Sequence, residues 1–236
     1  MKTKHISIAN IPAIIWGGES ENLLIAIHGN KASKADNSII VLAEEATESG
    51  YQVLSFDLPQ HGDRQEEARL CKVQNCVQDL GIIMDYSKSI SDNISLFACS
   101  MGAYFSLLAY KDNAVEQTLF LSPVVDMESI ITKLMTWFGV TEERLQQEQT
   151  ISTPIGETLY WDYYCYVKEN PISLWNSPTS VLYGSKDELC DYATISSFRD
   201  KFACSLKVME GGEHFFHTEE QMAYYRNWLK DSLLKK

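Results

Sequence analysis

A serine stands between small residues in the stretch Ala98-Cys99-Ser100-Met101-Gly102, where an apolar run ends and a helical pattern begins. A chain that turns this sharply from strand to helix strains the central residue, and its neighbours two positions away must be small. The turn exposes the Ser100 hydroxyl at a helix N-terminus, which lowers the cost of nearby negative charge. The pattern predicts a nucleophilic serine, with an ordinary helix N-cap as the alternative.

Two later loops carry groups that could activate this serine. A serine hydroxyl is a weak nucleophile and needs a base that a third group orients. The loop Gly211–His214 places a histidine directly after the last predicted strand, and the segment Tyr183–Glu188 places carboxylates after the strand before it. The chain order is serine, acid, histidine, each at the carboxyl end of a strand, where open α/β sheets build their sites.

The acid and the histidine each have rivals. Glu188 and Asp191 lie close to Asp187 in the sequence, and His217 lies three residues after His214. An aspartate after a strand is commonly a turn residue, so the spacing alone does not choose among the carboxylates. The next helical turn is predicted to contain His217, which favours His214.

Short β-branched runs that alternate with amphipathic segments must position these groups. The alternation predicts an α/β protein with a mostly parallel, doubly wound sheet and helices on both faces. An opening hairpin is predicted over 5–16, and strands over 22–28, 51–56, 94–98, 118–121, 179–183 and 206–209. Helices are predicted over 39–49, 71–88, 101–110, 127–138, 192–201 and 219–234.

The alternation lapses over residues 124–178, which predicts a small helical cap inserted into a core made of 1–123 and 179–236. Aromatic side chains are typical of ligand pockets, although they could equally pack a small subdomain by themselves. The segment is dense in aromatic residues: Trp137, Phe138, Tyr160, Trp161, Tyr163, Tyr164, Tyr166 and Trp175.

These features resemble the α/β-hydrolase family over essentially the whole chain, from His28 to His214. The family's oxyanion-loop motif appears as Ile27-His28-Gly29-Asn30, and its Asp-x-x-x-His-Gly motif as Asp57-Leu58-Pro59-Gln60-His61-Gly62. The predicted cap falls where the family places its own, between the sixth and seventh core strands. We expect the two motif histidines and Asp57 to brace their loops rather than react.

The resemblance implies a role for each site residue. Ser100 is the nucleophile, His214 the general base and Asp187 its orienting acid, while the backbone N–H groups of Asn30 and Met101 form the oxyanion hole. The implied reaction is hydrolysis of a small carboxylic ester through an acyl-enzyme, with no cofactor. An aminopeptidase or thioesterase on the same fold is the alternative, and a non-catalytic small-molecule-binding protein is a third account.

Composition limits the partners of the chain. Its 236 residues, of which 45% are hydrophobic, fit one domain, and 20 basic against 32 acidic residues give a net charge of −12. That charge argues against nucleic acid and anionic membranes as partners. The first residues lack the apolar stretch of a signal peptide, so we expect a cytoplasmic protein. A homodimer through the aromatic cap stays open.

Six cysteines without a Cys-x-x-Cys pair predict free, mostly buried thiols. We expect no metal site either. His214 and His217 could share a helical face, but no cysteine or carboxylate at a familiar spacing completes a ligand set.

Overall fold

The computed structural model describes residues 1–234, which form ten strands and eight α-helices. The strands are β1 (Thr3–Ile8), β2 (Ile11–Trp16), β3 (Asn22–Ile27), β4 (Gln52–Phe56), β5 (Asn93–Cys99), β6 (Thr118–Leu121), β7 (Thr150–Ser152), β8 (Thr158–Tyr160), β9 (Thr179–Gly184) and β10 (Ser205–Met209). The helices are α1 (Asn37–Glu48), α2 (Val73–Ile90), α3 (Met101–Ala109), α4 (Met127–Trp137), α5 (Glu142–Glu148), α6 (Trp161–Glu169), α7 (Tyr192–Phe202) and α8 (Glu219–Ser232).

Eight of the described strands form one sheet in the order β1-β2-β4-β3-β5-β6-β9-β10. The pairs β1–β2 and β2–β4 are antiparallel, and the pairs from β4 to β10 are parallel. The predicted mostly parallel, doubly wound sheet is confirmed. The carboxyl ends of β3, β5, β6, β9 and β10 therefore meet at one edge of the sheet.

Both faces of the sheet are covered by helices. Successive side chains of a strand point to opposite faces, so β3 divides its apolar residues between two hydrophobic clusters. Leu23, Ile25 and Ile27 pack in the cluster with α2, α3 and α7, while Leu24 and Ala26 pack in the cluster with α1 and α8. A strand buried on both faces reads as a continuous apolar run, as it does here. None of the helices in residues 1–234 has the length and apolar character to cross a bilayer.

Helix α1 ends at Glu48, and Gly50, the residue that the sequence predicts to stop it, follows the C-cap Ser49 with a φ of 92°. The N–H of Tyr51 donates to Ala46 O at 2.9 Å and the N–H of Gly50 donates to Thr47 O at 3.3 Å. These two bonds satisfy carbonyl groups that the helix end leaves free, and glycine adopts the left-handed conformation without strain. The reversal leads the chain directly into β4.

The segment 124–178 lies between β6 and β9 and holds α4, α5, α6 and a two-stranded antiparallel sheet of β7 and β8. The sequence predicted the helical character of this segment but not the β7–β8 hairpin. Strands of three residues are too short to show an alternating pattern. Apolar side chains of all three helices, including Met135, Leu145 and Val167, belong to the cluster that contains α2 and α3.

Candidate active site

Ser100 occupies the tight turn between β5 and α3, with φ 51° and ψ −122°. A non-glycine residue at positive φ is strained and persists only where its surroundings hold it. The Ser100 N–H donates to Leu121 O at 3.1 Å, and its carbonyl accepts from the Val124 N–H at 3.0 Å. The hydroxyl makes no capping hydrogen bond to α3 within the described chain, so the N-cap interpretation of Ser100 does not fit.

Three side chains that the sequence singled out form one chain of hydrogen bonds. The Ser100 Oγ lies 2.9 Å from His214 Nε2, and His214 Nδ1 lies 2.7 Å from Asp187 Oδ2. A carboxylate can only accept, so Nδ1 carries the proton and Nε2 is left to accept from the serine hydroxyl. The arrangement leaves His214 able to remove the Ser100 proton.

Asp187 is fixed by its own backbone environment. Its side chain is fully buried, and Oδ1 accepts from the N–H groups of Leu189 and Cys190, both at 2.9 Å. Since these bonds use Oδ1, Oδ2 remains for His214 Nδ1, and the carboxylate orients the imidazole.

The loops that carry Asp187 and His214 are packed together through two glycines. A Cβ on Gly184, the last residue of β9, would overlap the carbonyl oxygen of Gly212. That carbonyl accepts from the Lys186 N–H at 2.7 Å. The close approach of the two backbones sets the acid next to the histidine, although the two residues are 27 positions apart in the sequence.

The rival side chains lie in other arrangements. Asp191 is the N-cap of α7, and its Oδ1 accepts from the Thr194 N–H at 2.8 Å, a bond that lowers the pKa of this carboxyl. Glu188 is exposed, and His217 Nδ1 donates to Phe215 O at 2.8 Å. The structure therefore brings together Ser100, Asp187 and His214, and leaves the rivals outside this hydrogen-bonded chain.

Two backbone N–H groups predicted to bind an oxyanion come from neighbouring segments. Met101 is the first residue of α3, so its N–H has no carbonyl partner within the helix. Asn30 lies in the loop after β3, and a Cβ built on the adjacent Gly29 would lie 3.0 Å from the Ser100 Cβ. The loop and the turn are thus in contact, which is what a shared oxyanion site between Met101 and Asn30 requires.

The His28 side chain braces this loop, as predicted from the sequence. Its Nδ1 donates to Gly29 O at 2.7 Å, and its Nε2 accepts from the Leu58 N–H at 3.1 Å. Burial lowers the pKa of His28 to about 4, and the nearby His61 charge adds to that effect. The neutral ring is therefore the form that joins the two loops.

Asp57 ties down the turn that follows β4, which confirms a second prediction. Its Oδ1 accepts from the Lys34 N–H at 2.8 Å, and its Oδ2 accepts from Lys34 Nζ at 2.5 Å and from the Asp63 N–H at 2.9 Å. Both Asp57 and Lys34 are buried. Breaking a buried pair of this kind by removing one partner is strongly destabilising.

The segment 124–178 is attached to the core beside this site by ion pairs. Lys31 Nζ lies 3.2 Å from Glu157 Oε1 in the β7–β8 turn. Lys72 Nζ lies 2.9 Å from Asp162 Oδ2 and 4.2 Å from the centroid of the Tyr160 ring. The turn between β7 and β8 therefore reaches the same loop that presents Asn30.

A groove of about 500 Å³ opens between this segment and α7. Sequence reasoning missed the contribution of α7, where Ala193 and Ser197 form a small-residue stripe four positions apart. Two lining residues lie near Ser100 in the sequence: Tyr104 is one helical turn after it, and Val125 follows Val124, whose N–H donates to the Ser100 carbonyl. Ser100, Asp187 and His214 themselves do not line the groove. It is lined by Tyr104, Val125, Asp126, Met127, Glu128, Val167, Pro171, Ile172, Ala193, Thr194, Ser197, Phe198, Lys201 and Phe202.

The six cysteines are free, but the prediction that most are buried holds for only three: Cys76, Cys190 and Cys204 are buried, and Cys71, Cys99 and Cys165 are partly exposed. Across residues 1–234, no group of three or more histidine, cysteine, aspartate or glutamate side chains is placed to hold a metal ion.

Comparison with solved structures identifies the fold. The chain is similar to Est1E from Butyrivibrio proteoclasticus with bound ferulic acid (TM-score 0.78, 18% identity, 97% of this chain and 96% of that chain). It is also similar to a putative hydrolase from Agrobacterium vitis S4 (TM-score 0.79, 15% identity, 98% of each chain covered). A third similar structure is mouse alpha/beta hydrolase domain-containing protein 10 (TM-score 0.75, 13% identity, 98% of each chain covered). No protein-family model and no curated protein matches the sequence. The chain has the α/β-hydrolase fold.

Proposed function

We propose that the protein is a serine hydrolase that cleaves a small carboxylic ester through an acyl-enzyme. The observation that carries the proposal is the continuous path of hydrogen bonds from the Ser100 Oγ through His214 to the buried Asp187. A strained, accessible serine next to an oriented imidazole is the arrangement that acyl transfer needs. The structural likeness to an esterase from Pyrococcus furiosus (TM-score 0.69, 16% identity) supports an ester as the substrate.

The proposed reaction begins with attack of the Ser100 Oγ on the ester carbonyl carbon, while His214 Nε2 takes the hydroxyl proton. The carbonyl oxygen becomes an oxyanion that the N–H groups of Met101 and Asn30 stabilise, and each such donor is worth roughly 3–4 kcal/mol. His214 then gives its proton to the leaving alcohol. Water, activated by the same histidine, hydrolyses the acyl-enzyme and restores Ser100.

The groove beside Tyr104 is our candidate for the acyl chain. Its wall is largely apolar, with Val125, Val167, Ile172 and Phe198 among the lining side chains. Pockets of this size and lining bind apolar ligand groups. The proposal therefore includes a short, medium or aromatic acyl group.

Three acidic residues of the inserted segment argue against the peptidase alternative. An enzyme that holds a free amino terminus needs a carboxylate available to the substrate. Glu157 already pairs with Lys31, and Asp162 pairs with Lys72. Asp126 is occupied as the N-cap of α4, where it accepts from the Ser129 N–H at 2.9 Å. Glu128, the fourth acidic candidate, lines the groove and forms no hydrogen bond or ion pair within residues 1–234, so the peptidase alternative rests on this residue alone.

A series of p-nitrophenyl esters from acetate to laurate tests the proposal. We expect hydrolysis with a chain-length optimum by the wild type and by Ser106→Ala, a matched control on the same helix whose hydroxyl bonds only to Ala103 O in the described chain. Ser100→Ala should lose turnover by a factor on the order of 10⁴ or more. Equal rates from wild type and Ser100→Ala would refute Ser100 as the nucleophile.

A further inference from the structure

Two thiols and an imidazole meet beside the loop that presents Asn30, and we call His61, Cys71 and Cys76 the thiol–imidazole cluster. The Sγ atoms of Cys71 and Cys76 lie 3.7 Å apart. Lys72 is the N-cap of α2, so Cys71 precedes the cap and Cys76 is the fourth helical residue. Side chains at these two positions pack against each other at many helix starts, which explains why the thiols touch.

The hydrogen bonds of His61 require both ring nitrogens to donate. Nδ1 faces Pro59 O at 2.8 Å, and Nε2 faces Asn30 Oδ1 at 3.3 Å. Exchanging the oxygen and nitrogen of the Asn30 amide would lose a hydrogen bond, because Nδ2 donates to Glu157 Oε1 at 3.3 Å. Both acceptors therefore favour an imidazolium at His61. Although burial opposes it, the contacts with Cys71 and Pro59 raise the pKa of His61.

The two thiols are not equivalent. The hydrogen bond from Cys76, followed by the contact with His61 and the charge of Arg64, lowers the pKa of Cys71 to about 6. Burial raises the pKa of Cys76, and the Cys71 charge raises it further. The other ionisable groups that face the pair are Asp79, which is bonded to Arg64 at 2.6 Å, and Tyr163. Cys71 is partly exposed and Cys76 is buried, so a reagent from solution meets Cys71 first.

We propose that Cys71 and Cys76 form a reversible disulfide that acts as a redox switch on the Asn30 loop, with Cys71 as the attacking thiol and Cys76 as the resolving thiol. The oxidant is a small disulfide of the glutathione type. The catalytic half of the switch rests on the proposed hydrolase activity, while the disulfide itself does not.

The disulfide forms by two successive thiol–disulfide exchanges. The Cys71 thiolate attacks one sulfur of the small disulfide, forms a mixed disulfide and releases a thiolate. That thiolate takes the proton of Cys76. The Cys76 sulfur then attacks Cys71 Sγ and expels the second small thiolate. This second thiolate takes a proton from the His61 imidazolium. The two protein thiols lose two electrons in total, and the small disulfide is reduced to two thiols. The Sγ atoms close from 3.7 Å to about 2.05 Å.

Oxidation leaves His61 neutral and without its thiolate partner. A neutral imidazole has one N–H, so it can no longer donate to both Pro59 O and Asn30 Oδ1. Asn30 then loses one of the two bonds that hold its side chain between His61 and Glu157. Turnover is expected to fall by about five- to tenfold, the effect of one net hydrogen bond.

The test treats the reduced full chain with glutathione disulfide, blocks remaining thiols with N-ethylmaleimide and identifies tryptic peptides by mass. Trypsin cuts after Arg69, Lys72 and Lys88, so the expected product is Leu70–Lys72 linked to Val73–Lys88. Cys76→Ala should stop at the mixed disulfide on Cys71, and Cys71→Ser should form neither product. Cys165→Ala is the matched control, because Cys165 is also partly exposed but burial raises its pKa, and it should behave as wild type.

Turnover of a p-nitrophenyl ester is measured on the same samples before oxidation, after it and after dithiothreitol. The proposal expects a reversible loss in the wild type that Cys71→Ser does not show. Absence of the linked peptide overturns the disulfide, and a linked peptide with unchanged turnover overturns the switch. A reduced wild type without any turnover contradicts the hydrolase function and the catalytic half of the switch, while the peptide masses still decide the disulfide.

Discussion

Gly102 lies directly against the carbonyl oxygen of His28, and a Cβ added to Gly102 would lie 2.5 Å from that oxygen. The strained turn at Ser100 and the loop that presents Asn30 are therefore held together backbone to backbone. Neither backbone can retreat easily, because Ser100 is bonded to Leu121 and Val124, and His28 is bonded to Leu58.

Gly102→Ala is expected to lower the free energy of unfolding by about 1–3 kcal/mol, as overpacking does, and to lower kcat by separating the two loops. Chemical denaturation and ester hydrolysis measure the two effects. Gly81→Ala is the matched control, because a Cβ there meets nothing within 4 Å and alanine in helix α2 should stabilise by about 0.5–1 kcal/mol. An unchanged stability of Gly102→Ala would contradict the close contact.

The order of elements was largely predictable from the sequence, because local patterns carry it. The apolar run of β3 and the glycine stop after α1 need no tertiary information. The β7–β8 hairpin was not predictable, since its strands are short and its pairing depends on the surrounding helices. The contribution of α7 to the groove was missed for a related reason, because Ala193 and Ser197 line it only once α7 is placed beside residues 125–128.

If Asp187 and not Asp191 orients His214, asparagine variants of the two residues should differ sharply in kcat. Asp187→Asn removes the charge that orients His214 and stabilises its protonated form, so kcat should fall by a factor on the order of 10³–10⁴. Asp191→Asn should retain wild-type kcat and stability, because asparagine caps a helix as well as aspartate does. Steady-state kinetics of the two variants decide the assignment, and a larger loss in Asp191→Asn would reverse it.

His28 predicts a specific pH dependence of stability. Its pKa falls from 6.5 to about 4 on folding, so the unfolded chain binds more protons between these values. The free energy of unfolding must then decrease as the pH falls through this window, with a slope of at most about 1.4 kcal/mol per pH unit. The raised pKa of His61 acts in the opposite direction, since it favours the folded state at low pH.

His28→Gln isolates the first contribution, because glutamine does not titrate. We expect urea unfolding of this variant to show a flatter dependence on pH than the wild type between about pH 7 and pH 4. Parallel curves for the two proteins would mean that His28 does not carry the predicted shift.

The groove predicts that acyl-chain preference can be changed without touching the reacting residues. Ala193 is exposed on the groove wall, so Ala193→Trp should fill part of the cavity with little cost in stability. The p-nitrophenyl ester profile should shift to shorter chains, with acetate hydrolysis as the internal control. A uniform loss for all esters, or an unchanged optimum, would place the acyl chain elsewhere.

The sequence alone identified some site residues and not others. Ser100 was identified by its small neighbours, but Asp187 was one of three carboxylates, and only the packing of Gly184 on Gly212 shows why it reaches His214. The hydrogen bonds of His61 were invisible in the sequence, because one of them depends on Asn30, which Glu157, 127 residues away, holds in one orientation.

Covalent labelling with a fluorophosphonate tests the central claim most directly, because this probe reacts with an activated serine whatever the natural substrate is. Tandem mass spectrometry of the tryptic peptide Ser89–Lys111 locates the adduct among its serines. The account predicts one adduct, on Ser100, that is absent in Ser100→Ala and formed about 10³-fold or more slowly in His214→Ala. Labelling at another residue, equal labelling of Ser100→Ala, or an unlabelled wild type would contradict it.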